Sequence, residues 1–243
     1  MKSLHLSILV TIFLGFTLVA CDDDNCIKGE GTIETRTIEL ASFDKVSLLG
    51  VDHLTIKQGE TQEVNITGHP NIINELNTKV SDQHWEIRLR DGCYNNADLD
   101  IEITIPYLKE ANLIGSGKIL VEDFSNQDNQ SFYLSGSGDI DISGNTGTEE
   151  LLFGITGSGN INCSKSFTDL EFVHLIISGS GDYDGFLLKS SSYEVILSGS
   201  GNANIYAESN LKGNITGSGN INYKGSPEID VTITGSGRIN NSN

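Results

Sequence analysis

Proline, methionine and tryptophan are scarce in this chain: 3, 1 and 1 copies in 243 residues. So little proline argues against collagen, and 27 glycines with only 20% charged side chains argue against a coiled coil. Basic residues are also few, 15 Lys and Arg against 33 Asp and Glu, for a formal net charge of -18. Nucleic-acid binding rests on cations that neutralise phosphates, so nucleic acid is disfavoured as a partner. After Val19 no long apolar run occurs, which removes multi-span helical membrane proteins. One or two modest domains remain, with 37% apolar content for a core.

The start of the chain has a different composition. Met1-Lys2 precedes an uncharged run from Leu4 to Val19, too short for a membrane span and suited to a secretory signal peptide. Leu18-Val19-Ala20-Cys21 resembles the bacterial lipobox, in which cleavage precedes a cysteine that carries diacylglycerol; a plain Ala-x-Ala site fits Thr17 to Ala20 less well. The expectation is removal of residues 1–20, lipidation of Cys21 and a membrane partnership through lipid alone. An acidic tether, residues 21–30, follows. Its Asp22-Asp23-Asp24-Asn25 resembles the surface-export tags of some Gram-negative lipoproteins, and reads equally as a solvated spacer. The expected location is the outer membrane or cell surface of such a bacterium.

Export implies an oxidising setting for Cys26, Cys93 and Cys163. Cys26 and Cys93 both sit in polar, loop-like sequence and are the expected disulfide pair. Cys163 follows the inward Ile161 of a strand by two residues and reads as a small buried hydrophobe.

Glycine is organised. Gly-Ser-Gly begins at 115, 136, 157, 179, 199, 217 and 235, spaced by 21, 21, 22, 20, 18 and 18 residues. Two residues before each copy stands Leu or Ile; after it come a polar residue and then an inward position such as Ile119, Ile140 or Ile221. In the copy around Gly217, Ile215, Gly217, Gly219 and Ile221 share one face, and Thr216, Ser218, Asn220 and Asn222 the other. Strict alternation means strand. Short strands repeating every 18–22 residues cannot bury their apolar face alone, but stacked copies can, as a parallel β-solenoid. Inward glycines would let each coil narrow or turn a corner. An antiparallel hairpin array is the alternative.

Residues 31–110 carry less regular strands: Val46 to Gly50, Leu54 to Ile56, Val64 to Gly68, Trp85 to Leu89 and Leu99 to Ile105. Gln58-Gly59-Glu60-Thr61 reads as a hairpin turn, Pro70 to Leu76 as the one helix, and Pro106 as a strand stop. The order Gly31, Arg36, Phe43-Asp44-Lys45-Val46, Gly50, Ile56-Lys57-Gln58-Gly59-Glu60, Val64-Asn65-Ile66-Thr67-Gly68 and Asn71 to Leu76, followed by serial Gly-Ser-Gly-Asn-Ile, resembles the family called "putative autotransporter adhesin, head GIN domain". The likeness covers about residues 31–240. It implies an all-β, right-handed parallel β-helix-like solenoid on an exported protein, with a less regular N-terminal part (31–110) continuous with the repeat part (111–243). It transfers no functional residues.

Chemistry-bearing clusters are hard to find. The histidines His53, His69, His84 and His174 and the lysines of the repeat fall at unrelated positions, and no Cys/His spacing suggests zinc. Gly136-Ser137-Gly138-Asp139-Ile140-Asp141 looks like a calcium nonapeptide, but the period is about twice too long for neighbouring turns to share an ion. No metal, cofactor or catalytic residue is expected. The remaining candidate is an outward polar ladder, Thr156, Ser158, Asn160 and Asn162 in one copy and Thr216, Ser218, Asn220 and Asn222 in another. It could bind a glycan or a cell-surface protein, or simply stabilise stacked strands. The expected function is a non-catalytic, lipid-anchored envelope protein acting as an adhesin or interaction module. A carbohydrate-active enzyme, which would need a groove with two carboxylates or a carboxylate and Lys/Arg cluster, and a self-associating structural protein are the alternatives.

Overall fold

The architecture was established with a computed structural model that describes residues 26–50, 53–127, 129–167 and 170–243; the expected signal peptide and Cys21 lie outside them. Sixty-one per cent of the chain is strand and 2% helix, arranged as a β-solenoid of about six turns. Each turn contributes a strand to one face, bends at Gly-Ser-Gly and contributes a second strand to another face. On the first face Glu110–Gly115, Gln130–Gly136, Glu150–Gly157 and Phe172–Gly179 stack in parallel. On the second, Lys118–Val121, Asp139–Ile142 and Asn160–Cys163 do the same. The repeats spaced 21–22 residues apart have room for a third side, where Phe124–Ser125 pairs with Asn145–Thr146. In the shorter repeats that side is gone, and long strands, Tyr183–Gly199 and Ala203–Gly217, run from the second face of one turn into the first face of the next.

The corner explains the glycines. The carbonyl of Gly136 accepts the N–H groups of both Ser158 (2.8 Å) and Gly159 (3.1 Å) in the next turn. Gly115, Gly157, Gly179, Gly199 and Gly217 each accept the equivalent pair. This stacking leaves no space for a Cβ: one added at Gly157 would run into the Gly136 carbonyl, and one at Gly159 into that of Gly138. The first glycine of each copy also has positive φ, +131° at Gly157, which disfavours other residues. The expectation of a bare inward position is thus sharpened: what excludes the side chain is the backbone of the turn below as well as the narrow core.

With the corners in register, apolar rows align. Leu48, Leu113, Leu134, Ile155, Ile177, Leu197 and Ile215 form one fully buried column. Burial of each such side chain stabilises by about 1.5–3 kcal/mol. On the second face Tyr183 stacks on Ile161 and is followed by the smaller Ala203, both fully buried.

The N-terminal part is stacked out of chain order. Lys45–Leu49 lies between His84–Ile87 and Glu110–Gly115, while His53–Gln58 lies between Asp100–Ile105 and Lys118–Val121. The turn formed by residues 84–105 therefore sits beneath the one that precedes it in sequence. Asp44 fastens the return crossing: its carbonyl accepts the Lys109 N–H at 2.7 Å and its carboxylate holds the Lys109 ammonium at 2.7 Å. Below, Glu63–Gly68 pairs antiparallel with Asp100–Ile105, and Glu34–Thr37 with Glu63–Gly68. Val80–Ser81 covers His84–Ile87. This end of the solenoid is closed. Cys26 and Cys93 are joined by a disulfide at its margin.

Two expectations need correction. Gln58 to Thr61 turns the chain but makes no hairpin, because Asp100–Ile105 inserts between His53–Gln58 and Glu63–Gly68 and satisfies both edges. The helix stops at Ile73, four residues long; the N–H groups of Glu75 and Leu76 then bond three residues back, and Leu76 bridges to Leu89.

The corner geometry yields a direct test. Gly159→Ala should lower unfolding free energy by about 3 kcal/mol, because the neighbouring backbone cannot yield. The adjacent outward Ser158→Ala should stay within about 0.5 kcal/mol, both read from urea unfolding.

Candidate functional site

The outer surface of the first face carries three rows that register places side by side. Nearest the corner stand the exposed hydroxyls Ser135, Thr156, Ser178 and Thr216, with Ser198 half-buried. Two residues inward runs Tyr133, Gly154, Ile176 and Ile196. Tyr133, Ile176 and Ile196 are 38%, 39% and 43% exposed, and Ile114 beside them is 46% exposed. Gly154 has a role here. A Cβ on it would stand 2.7 Å from the Tyr133 ring, so its absence lets the tyrosine lie over the strand. The result is a flat apolar strip along consecutive turns, the kind of surface that marks an interaction face.

Beyond the strip lies a group that sequence reading missed. His174 is flanked by carboxylates of the turns on either side, Nε2 to Glu150 at 3.2 Å and Nδ1 to Glu194 at 3.1 Å, and its ring packs on Phe172 at 4.4 Å. Aligning the repeats on Gly-Ser-Gly would have placed His174 and Glu194 in one outward row. The other histidines are apart from it: His84 meets Ser47 at 2.8 Å, His69 meets the Gly31 carbonyl at 2.9 Å, and His53 lies near Asp100. Among the described residues no group of His, Cys, Asp or Glu has the arrangement to hold a metal ion.

The ladder residues expected from sequence stand where alternation puts them. Thr156, Ser158, Thr216 and Ser218 are exposed, and Asn160, Asn162, Asn220 and Asn222 are half-buried. Their amides bond to Asp and Asn residues of the neighbouring turns. Asn160 donates to Asp139 at 3.1 Å while its own oxygen accepts the Asp182 N–H at 3.1 Å. Asn162 donates to Asp141, Asn222 to Asn204, and Asn240 to Asn222, each at 2.9 Å; Asn220 donates to Asn202 at 3.0 Å. The amide half of the ladder is engaged in holding the turns together. Its hydroxyl half, Thr156 and Thr216, borders the apolar strip.

A groove of about 350 Å³ opens at the out-of-order crossing, lined by Phe43, Asp44, Tyr107, Lys109 and Gln127 among others. It holds one carboxylate, Asp44, paired with Lys109, and thus meets the carboxylate and lysine form of the enzyme requirement. Both groups also fasten the crossing, and no second carboxylate lines the groove.

The profile of the family described as "Putative auto-transporter adhesin, head GIN domain" matches residues 42–227. This chain belongs to that family. The head GIN fold recurs in solved structures. One, described as a putative adhesin from Bacteroides fragilis NCTC 9343, has a TM-score of 0.80 at 23% identity, covering 88% of this chain and 99% of the other. Another, described as a putative lipid binding protein from Parabacteroides distasonis ATCC 8503, has a TM-score of 0.72 at 25% identity, covering 89% and 99%. A third, described as a putative adhesin from Parabacteroides merdae ATCC 43184, has a TM-score of 0.70 at 22% identity, covering 89% and 98%. No curated protein matches.

Beneath this surface, Cys163 is buried against the Tyr183 hydroxyl at 3.8 Å, and burial pushes its thiol from 9.0 up to about 12. Burial also raises the phenols of Tyr183 and Tyr193 well above their ordinary value. All three favour the fold in neutral form. For Cys163 that stability is full below about pH 9 and is lost as pH rises through about 12, and the two tyrosines act in the same direction. The urea midpoint should therefore fall across this window, and native Cys163 should resist iodoacetamide at pH 8 until the chain unfolds.

Proposed function

We propose that this head GIN domain is a non-catalytic adhesion module, exported and anchored by lipid on Cys21, that meets a cell-surface protein through the strip of Tyr133, Ile176 and Ile196. The strip carries the reading: three large apolar side chains, each more than a third exposed, in one column of a flat face. Branched aliphatic side chains beside a row of hydroxyls suit a protein surface. A glycan site would instead be expected to offer stacked aromatics and free amides, and here the ladder amides bond to Asp and Asn residues of the neighbouring turns. The column above the strip and below it ends in Asn112 and Asn214, which limits it to a few turns.

The anchor adds orientation. Four residues separate Cys21 from Cys26, so five Cα–Cα steps give a reach of at most about 18 Å. Cys26 is bonded to Cys93 on the closed end, so a lipid on Cys21 would hold that end against the membrane and present the repeats outward. The interior is filled by side chains, so an acyl chain from another source would be left to the outer surface.

Two experiments test the reading. Ile176→Asp with Ile196→Asp should abolish binding of the purified domain to target cells while leaving thermal unfolding within a few degrees; unchanged cell binding, or wild-type binding to a glycan array that survives the double change, would remove the strip as the contact face. Cys21→Ala should abolish labelling by a radiolabelled fatty acid and release the chain from membranes. Labelling that persists would place the lipid elsewhere.

A further inference from the structure

The two ends of the solenoid differ. The N-terminal end is covered by antiparallel strands, but the last turn, built from Glu228–Ile233 and Ile239–Asn241, has no described residue above it. Its inward residues show the consequence. Leu211 and Ile215 are fully buried, whereas Ile229 and Ile233, one turn on in the same columns, are each 41% exposed. The Gly235 carbonyl, which in every lower copy would accept two N–H groups, faces outward with no turn to supply them.

We propose that a second copy of this chain covers this end, its Glu228–Ile233 strand pairing antiparallel with that of the first about a twofold axis through Val231. Backbone geometry sets the register. Thr234 donates its N–H to the Ile215 carbonyl at 2.7 Å, toward the turn below. In a parallel ladder alternate residues bond to opposite sides, so Thr232 and Asp230 also face that turn, while Ile229, Val231 and Ile233 present their N–H and C=O groups to the open edge. Self-pairing that keeps the apolar face inward must centre on a residue. Centring on Asp230 sets two aspartates directly opposite, which is unfavourable. Centring on Val231 sets Val231 against its copy, Ile229 against Ile233, and Asp230 against Thr232. Every exposed apolar residue of the strand then gains an apolar partner, and no like charges meet.

The twofold contact uses the same C-terminal edge of both copies, so association through it stops at a dimer instead of growing into a fibre. Given the Cys21 anchor proposed above, the two lipids would lie at opposite extremes of the dimer, which would then link two apposed membranes. The dimer itself does not depend on that anchor.

Sedimentation of residues 22–243, which lack Cys21, separates the two claims. The wild-type chain should sediment as a dimer at about 50 µM, and Val231→Lys should raise the dimer dissociation constant at least about 30-fold, as for a central interface residue, with an unchanged circular dichroism spectrum. Val231→Cys should give a disulfide-linked dimer on mild oxidation, and Ser236→Cys, on the outer side of the corner, should not. A wild-type monomer at that concentration, a dimer indifferent to Val231→Lys, or equal cross-linking at both cysteines would overturn the proposal, and none of these outcomes bears on lipidation of Cys21.

Discussion

One backbone carbonyl per turn, accepting two N–H groups from the turn above, holds this molecule in register. The geometry works only where neither glycine has a Cβ and the first can adopt positive φ, so the chain repeats Gly-Ser-Gly at seven successive corners from Gly115 onward. From that pinning follow the aligned columns of Leu and Ile inside, the Asn and Asp ladder on the second face, and the flat rows outside. A helix or a conventional sandwich would gain nothing from the same glycines, which weaken both.

Much of this was legible in the sequence, because a repeat of constant spacing forces identical environments. The alternation around Ile155 and Ile215 gave the strands and their faces, and the polar sites of Cys26 and Cys93 contrasted with the buried position of Cys163. The order of the first turns was not legible. Nothing local in His84 to Ile105 says that this segment lies beneath residues 45–58; the placement depends on pairing across 39 residues on one face and 47 on the other, and on the Asp44 and Lys109 clamp. The apolar strip was also hidden. Ile176-Ile177 and Val195-Ile196-Leu197 are unbroken apolar runs, and the register places Ile176 and Ile196 next to each other in one outward column. His174 and its two carboxylates come from three different turns, which no spacing rule for a single segment detects.

The asymmetry of the ends gives the rows a direction. Disulfide, antiparallel cover and buried Trp85 make the N-terminal end a base, with the Trp85 indole donating to the Asn77 carbonyl at 2.8 Å. At the opposite end no described residue covers Glu228–Ile233 and Ile239–Asn241.

The corners, although their serines are exposed, are structural, which residue-resolved hydrogen exchange can check. The N–H groups of Ser158, Gly159, Ser180 and Gly181 should exchange as slowly as those of the buried strand residues Ile155 and Ile177. Exchange at the corners as fast as at the exposed loop residue Gly92, with the strands still protected, would contradict it.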